Sequence, residues 1–378
     1  MSTNRLFIAA AGSGKTRLII DEVIKNKSAK TLITTFTLAN EKSIRDKLIK
    51  ANGGCIPPNV NIQTWFSFLI EHGIRPYRFW NERVTGMELV STASGIKYSY
   101  KKNGKSIPVA WGETENFEKH YFNSAMHVYS DKLAKLACCC DKKSKGYVIK
   151  RLEQIYDHIY IDEVQDMAGW DLEFIRLFLK SSMSLTMVGD PRQTVYLTHH
   201  DRKYAKYSYG KIKDFINNEC KRISCTIDET ALANSHRNSA SICSLSSRLY
   251  HDMQECLSCL KESHSHMGIF FVPENQIMAY QAQFKPMQLC LNKSVEVCEE
   301  IPRMNFGESK GLEYAHVLIY PTADMLKWLC GKNNSLKDKT KAQLYVALTR
   351  AFFSVGIVVK NDFEEDVSDI KRWRSASI

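Results

Sequence analysis

Residues 9–16, Ala9-Ala-Ala-Gly12-Ser13-Gly14-Lys15-Thr16, constrain this chain more than any other segment. Residues 6–9 are a short apolar run, and 15–26 follow with helical periodicity, so the glycines lie at a strand-to-helix junction. Such a junction suits phosphate. Glycines let backbone N–H groups close around the anion, and the helix N-terminus adds the positive end of its dipole. Lys15 is placed to bridge the β- and γ-phosphates, and Thr16 to ligate Mg²⁺. The expected phosphate-binding set is Ala9, Gly12, Ser13, Gly14, Lys15 and Thr16.

The surrounding rhythm gives the fold class. Strand-like runs at 30–36 and 59–64 alternate with helical patterns at 38–51 and from 65, the grammar of an α/β parallel sheet. Residues 75–146 break it, with Tyr77, Phe79 and Trp80, an Asn103-Gly104 hairpin signal and a helical pattern over 116–137. Strands resume at 158–161 and 184–188. A second series begins near 223, with strands at 268–272, 287–290, 316–320 and 354–359 and a helix over 339–351. The expectation is α/β with two lobes of parallel sheet. The first spans 1–74 and 147–225, an accessory subdomain is inserted at 75–146, and the second lobe spans 226–378.

Two further strand ends carry chemistry. The apolar run at 159–161 ends in Asp162-Glu163-Val-Gln165-Asp166, where Asp162 is placed to hold Mg²⁺ and Glu163 to accept a proton from water. The strand at 184–188 ends in Gly189-Asp190-Pro191-Arg192-Gln193, and Gln193 is positioned to sense a γ-phosphate or orient water.

In this order, Ala-x4-Gly-Lys-Thr, Asp-Glu-Val-Gln-Asp and Gly-Asp-x-x-Gln-x-x-Tyr resemble the motifs of superfamily 1 helicases of the UvrD/Rep type. Thr35-Phe36-Thr37 and Thr64-Trp65-Phe66-Ser67 resemble that family's early single-strand contacts. Ser235-His236-Arg237 resembles the motif of a first arginine finger, Ser309-Lys310-Gly311-Leu312-Glu313 the Lys-Gly-Leu-Glu motif, and Tyr345 to Ala351 the last motif, with a second finger at Arg350. The resemblance runs from 9 to 351 and implies two RecA-like lobes and an ATP-hydrolysing DNA helicase using ATP and Mg²⁺. It implies Glu163, Gln193, Arg237 and Arg350 as catalytic residues, and Thr16 and Asp162 as metal ligands. His236, Gly311 and Glu313 join the ATP set, His236 against adenine and Glu313 at the ribose. Phe36, Thr37, Thr64, Trp65, Tyr196 and Tyr207 are the strand contacts that follow from the motifs and their surroundings.

The departures are specific. Eight residues precede Ala9, too few for the family's adenine-reading glutamine segment, and Thr198 stands near the place of a base-stacking tryptophan. From Arg237 to Lys310 is 310 − 237 = 73 residues, so the family's second-lobe insertion is expected to be absent or vestigial. The expected function is a single-stranded DNA translocase or helicase moving 3′→5′, with RNA as the other candidate strand. The alternative is a regulatory ATPase subunit that gates a partner nuclease, resembling the compact helicase-like subunits of bacterial anti-phage systems such as Gabija.

Composition agrees with a polyanion partner. The 378 residues carry 52 Lys+Arg against 41 Asp+Glu, a net +11. Basic and aromatic residues interleave at 97–102 and again at 203–211, a pattern suited to single strands, and the second segment is the stronger candidate by position. No apolar run approaches the roughly 18 residues of a membrane span, so a cytoplasmic protein with reduced thiols and no membrane partner is expected. Cys256, Cys259, His264 and His266 form a ligand-like set, though the spacing is not that of a common zinc finger.

Overall fold

The computed structural model describes residues 3–77, 89–90, 95–198, 202–261, 264–292, 294–300 and 302–375. Phe79 and Trp80 lie outside the described residues.

The opening elements follow the apolar pattern: β1 (Asn4–Ile8), α1 (Lys15–Lys25), β2 (Thr31–Thr35), α2 (Leu38–Ala51), β3 (Val60–Thr64) and α3 (Trp65–Phe68). Helix α2 starts where Thr37 can cap it, its side chain accepting the Asn40 N–H at 3.1 Å. Between residues 75 and 146 the described elements are β4 (Leu89–Val90), β5 (Ile96–Lys102), β6 (Lys105–Ala110), α4 (Phe117–Tyr121), β7 (Val128–Tyr129) and α5 (Leu133–Lys143). Asn103 and Gly104 take φ values of 51° and 73°, as the hairpin signal requires. The single helix expected over 116–137 is instead α4 and α5 with β7 between them. Asn123 accounts for the break, because its carboxamide accepts the N–H groups of Ala125 (3.0 Å) and His127 (2.8 Å) and turns the chain.

The α/β alternation then resumes with α6 (Tyr147–Ile155), β8 (His158–Asp162), α7 (Trp170–Leu179), β9 (Ser184–Gly189), α8 (Ile212–Glu219) and β10 (Thr226–Asp228). The first sheet has the order β10-β1-β9-β8-β2-β3, and β3/β2, β2/β8 and β8/β9 pair in parallel. Its strand ends therefore bring the C-terminal residues of β2, β3 and β8 to one edge, which is where ligands bind in such sheets.

The remaining elements are α9 (Ala240–Ser247), β11 (Gly268–Pro273), α10 (Ile277–Phe284), β12 (Met287–Cys290), β13 (Arg303–Asn305), β14 (Tyr314–Ile319), α11 (Ala323–Leu329), α12 (Asp338–Leu348), β15 (Ala351–Val359) and β16 (Lys371–Arg372). They build a second six-stranded sheet of order β13-β12-β14-β15-β11-β16 in which every pair is parallel. Its central strands are buried on both faces, which explains their continuous apolar runs. The fold is α/β with two sheets of parallel strands. All strands between Arg237 and Lys310 join the second sheet, so among the described residues no inserted domain stands there. Residues 251–261 form a loop, and Ser258 makes a β-bridge to Ser235.

By contacts, the chain divides into two compact units. One comprises Met1–Leu6, Thr16–Val188 and Leu197–Ile227, and the other Phe7–Lys15, Gly189–Tyr196 and Asp228–Ile378. Residues 7–15 thus fall in the second unit. No helix among the described residues is long and apolar enough to cross a membrane.

The second unit also holds a histidine cluster, with His316 buried and His266 half-buried. His266 stacks on Phe270 (4.2 Å) and Phe284 (3.7 Å), and His316 holds the Ser354 hydroxyl at 2.7 Å from Nδ1. Burial, aided by neighbouring imidazoles, pushes both pKa values from 6.5 down to about 4. The unfolded chain takes up these protons near pH 6.5 and the folded chain only near 4. Stability from this source is therefore full above 6.5 and lost as pH falls towards 4. The melting temperature should drop across that window in calorimetry, and His266→Phe should flatten the drop. An unchanged slope in the variant would place the acid sensitivity elsewhere.

Candidate nucleotide site and strand-contact residues

Residues 9–15 are held by four backbone contacts. Ala9 donates to the Gly189 carbonyl (2.8 Å), Ala10 to the Leu232 carbonyl (2.8 Å) and Ala11 to the Tyr345 hydroxyl (3.3 Å), while the Gly12 carbonyl accepts the His236 N–H (2.9 Å). Gly12 and Gly14 have φ values of 71° and 90°, in the left-handed region. Space also demands glycine at 12, because an added Cβ would lie 2.5 Å from Arg237 Cβ and 2.6 Å from Ser235 Oγ. Among the described residues, the N–H groups of Gly12 and Gly14 find no acceptor, and the buried Ser13 hydroxyl has no partner. Three donors left open at the start of an eleven-residue helix fit the oxygens of a phosphate.

Beneath this loop lies a buried ionic network. The Asp190 carboxylate, with no solvent exposure, accepts from Arg192 Nε (2.8 Å), Gln193 Nε2 (2.8 Å) and the Tyr345 hydroxyl (3.1 Å). Arg192 also donates to the Ala9 carbonyl at 2.9 Å. Burial works against the Arg192 charge, but Asp190 reverses that effect and keeps the guanidinium protonated. Burial drives the Tyr345 pKa far up, so its hydroxyl stays a donor. Gln193 turns its other end to Arg350, whose Nη2 donates to Oε1 at 3.2 Å. Arg350 is itself enclosed, donating to the Val346 (3.1 Å) and Leu312 (3.1 Å) carbonyls.

Arg237 forms an ion pair with Glu313 and reaches the Thr349 carbonyl at 3.5 Å. Asn238 fastens the same turn through bonds to the Thr349 (3.1 Å) and Ala351 (2.7 Å) carbonyls. His236, Gly311 and Glu313 are exposed, and Gly311 takes a left-handed φ of 85°. In the second unit, then, the loop at 9–15, Gln193, Arg237, Glu313 and Arg350 are brought together by direct contacts or through one intermediary.

In the first unit, Thr16 donates its hydroxyl to Asp162 Oδ2 at 3.4 Å. Two hard oxygen donors this close fit Mg²⁺, which commonly takes one or two protein ligands and completes its shell with phosphate and water. Glu163, just after β8, stands at φ 57°, uncommon for a non-glycine residue, and its carboxylate accepts from Gln165.

The strand-contact candidates are placed differently from one another. Phe36 and Phe66, following β2 and β3, meet edge to face at 5.3 Å and stay half-buried. Thr37 and Thr64 cap α2 and α3. Trp65 is fully buried, with its indole N–H on Asp171 (2.6 Å) and its ring against Phe174 and Phe178. Tyr207 is also buried, donating to Glu219 at 2.7 Å, and neither of these rings is open for a base to stack on. Tyr196 is half-buried beneath Lys310, whose Nζ lies 4.9 Å from the ring centre. Thr198 is buried and accepts the Ala168 N–H at 3.0 Å. The four Cys and His residues of the ligand-like set are not brought together as ligands. Cys256 lies 3.9 Å from Cys243, His266 is stacked between phenylalanines, and no metal-holding group of three or more His, Cys, Asp or Glu occurs among the described residues.

The family model of the UvrD/REP helicase N-terminal domain matches residues 87–197, a span holding both the Asp162-Glu163 and Asp190–Gln193 segments. Solved structures similar to it include the PRRSV helicase, at 14% identity over 94% of this chain and 52% of that one, with a TM-score of 0.44. The helicase nonstructural protein 10 of an arterivirus matches at 15% identity over 96% and 60%, TM-score 0.45, and its complex with DNA at 14% over 96% and 61%, TM-score 0.44. The chain thus spans about half to three-fifths of the length of these helicases. No curated protein matches it.

Asp190, Arg192 and Tyr345 are the residues that motif reading left without roles. The alternation of acid and base in Asp190-Pro-Arg192 was the available signal, but only burial makes it consequential. Arg192→Ala would strip Asp190 of its guanidinium inside the fold, and should cost about 3–5 kcal/mol in urea unfolding. A loss below about 1 kcal/mol would mean that the donors left to Asp190, the backbone N–H at 192 among them, satisfy the carboxylate without the guanidinium.

Proposed function

We propose that this chain is an ATP-dependent single-stranded DNA translocase of UvrD type, moving 3′→5′, with lobes at 1–74 plus 147–225 and at 226–378 and an accessory subdomain at 75–146. The observation that carries the reading is the loop at 9–16, where open N–H groups and an unpartnered Ser13 hydroxyl precede a Thr16 hydroxyl lying on Asp162. Bound ATP and Mg²⁺ would supply the phosphoanhydride whose cleavage drives the motor. Gly12, Ser13, Gly14 and Lys15 would bind phosphate oxygens, and Thr16 and Asp162 would hold the cation. Ala9 fixes the start of the loop through its backbone, and the exposed His236 is available to stack on adenine. Glu163 takes the proton of the attacking water. Gln193, bonded to Arg350, links the state of the phosphate end to the last motif. Arg237 has to exchange Glu313 for phosphate before it can act as a finger, and the freed Glu313, beside Gly311, then faces the ribose. Phe36, Thr37, Thr64 and Tyr196 remain the strand contacts of this reading, with DNA preferred to RNA by the family. Trp65 and Tyr207 support them from the core.

A second reading, a regulatory ATPase that gates a partner nuclease, is favoured by one observation: no inserted domain stands between Arg237 and Lys310 among the described residues. Strand displacement by the chain alone separates the two. Unwinding of long duplexes supports the motor, whereas DNA-stimulated hydrolysis without unwinding supports the gate.

Lys15→Ala should weaken nucleotide binding by removing a charge from the phosphates. Glu163→Gln should keep binding, measured with a fluorescent ATP analogue, but stall hydrolysis. Normal turnover in Glu163→Gln would sink the assignment of the base. Arg237→Ala should cut DNA-stimulated turnover by about 10³ with little change in ATP affinity. Turnover within about twofold of wild type would make Arg237 a structural partner of Glu313. Arg350→Ala should lose similar turnover, read beside its melting temperature because the side chain is enclosed.

A further inference from the structure

The structure reverses the ranking of the two aromatic-basic segments. In the segment at 203–211, Tyr204 donates to Glu173 (2.7 Å) and Tyr207 to Glu219 (2.7 Å), while Lys203 and Lys206 pair with the same two acids. Its rings and charges are largely engaged within the protein. The segment at 96–110 is the opposite case. It carries four lysines and no acid, and most of its residues are exposed.

Register decides what this hairpin displays. Tyr98 pairs with Val109, Tyr100 with Ile107 and Lys102 with Lys105. Residues two apart on a strand share a face, and directly paired residues share it too. One face therefore presents Tyr98, Tyr100, Ile107 and Val109 in a block, with Lys102 and Lys105 at its turn end. Tyr98 is 55% exposed and Tyr100 46%, unusual values for tyrosines on a regular strand. Of the four lysines, Lys97 is occupied by Glu115 and the Trp111 ring (5.0 Å). Lys101, Lys102 and Lys105 are exposed on a stretch with no acid of its own.

We propose that this face of the β5–β6 hairpin is a stacking platform for single-stranded nucleic acid. Tyr98 and Tyr100 take bases and Lys102 and Lys105 follow the phosphates. The proposal rests on the reading that the chain works on a strand, and it adds a contact surface remote in sequence from the Phe36 and Thr64 motifs. The chemistry selects the occupant. Open aromatic faces beside ammonium groups that are unpaired among the described residues match a partner that carries both flat rings and phosphates. Side chains two residues apart lie about 6.8 Å from each other along a strand, roughly twice the 3.4 Å rise per nucleotide, so one base fits between the rings. An acidic protein would use the lysines but leave the tyrosines without purpose.

Fluorescence anisotropy with labelled oligothymidylate tests this on the full chain. Tyr98→Ala/Tyr100→Ala should weaken binding about tenfold or more, and Tyr98→Phe/Tyr100→Phe, which keeps the rings, should stay within about twofold of wild type. Lys102→Ala/Lys105→Ala should reduce the slope of log affinity against log salt by about 1.4, at roughly 0.7 per phosphate on a single strand. An oligonucleotide carrying 5-iodouracil should crosslink to Tyr98 or Tyr100, a readout that needs no variant to fold. Wild-type crosslinks confined to other residues, or affinity within twofold in the double alanine variant, overturn the platform. So does polyglutamate binding as tightly as the oligonucleotide, which would mark an acidic protein surface as the partner. ATP turnover read on the same samples keeps the two readings apart. Stimulation by oligothymidylate without any tyrosine dependence of binding leaves the motor and removes the platform. Tyrosine-dependent binding without hydrolysis leaves the platform and removes the motor.

Discussion

One buried carboxylate organises the second unit. Asp190 has no contact with solvent, yet it accepts from a guanidinium, an amide and a phenol. In a low-dielectric interior such a group is costly unless every lone pair is used, and cooperative when it is. Its donors come from two distant stretches of chain. Arg192 carries the constraint to the Ala9 carbonyl, Tyr345 carries it to the Ala11 N–H, and Gln193 carries it to Arg350. The shape of the glycine loop and the seating of Arg350 thus answer to the same two oxygens. A displacement of Gln193 cannot leave Arg350 undisturbed, because the two share a hydrogen bond inside close packing.

Much of this was legible in the residues. The glycine loop, the acids at the end of β8 and the alternation of strands and helices follow from local rules, and α2 and β12 fall on their expected bounds. The hairpin turn followed from Asn103-Gly104 alone. The split of the 116–137 helix was harder to read, since Asn123 acts through bonds to Ala125 and His127 rather than through any change of apolar pattern. The site was legible as a set of motifs but not as a network. Spacing in sequence carries no record that Gln193 would meet Arg350, 157 residues away, or that Arg237 would be held by Glu313.

Burial was the property hardest to infer. Trp65 and Tyr207 have the chemistry of a base contact, but each has a distant acid that takes its polar atom, Asp171 and Glu219, and aromatic neighbours that close over its ring. Tyr98 and Tyr100 have the same chemistry and no such partners within their strand. An aromatic beside lysines is therefore ambiguous until its tertiary surroundings are known. A two-stranded hairpin with a bare apolar face is also a weak structure by itself, marginal in water without something to pack on.

Glu163 carries a different kind of information. Its left-handed backbone, φ 57°, costs on the order of 1–3 kcal/mol for a residue with a long side chain, and glycine or asparagine would sit there more comfortably. Under selection for folding alone, position 163 should drift to those residues. A lineage that keeps glutamate accepts a less stable fold in return for a carboxylate aimed in one direction from the end of β8. With Glu163 in its proposed role as the base, stability and purpose pull apart at this residue, so a library sorted once for thermal resistance and once for turnover would separate there first.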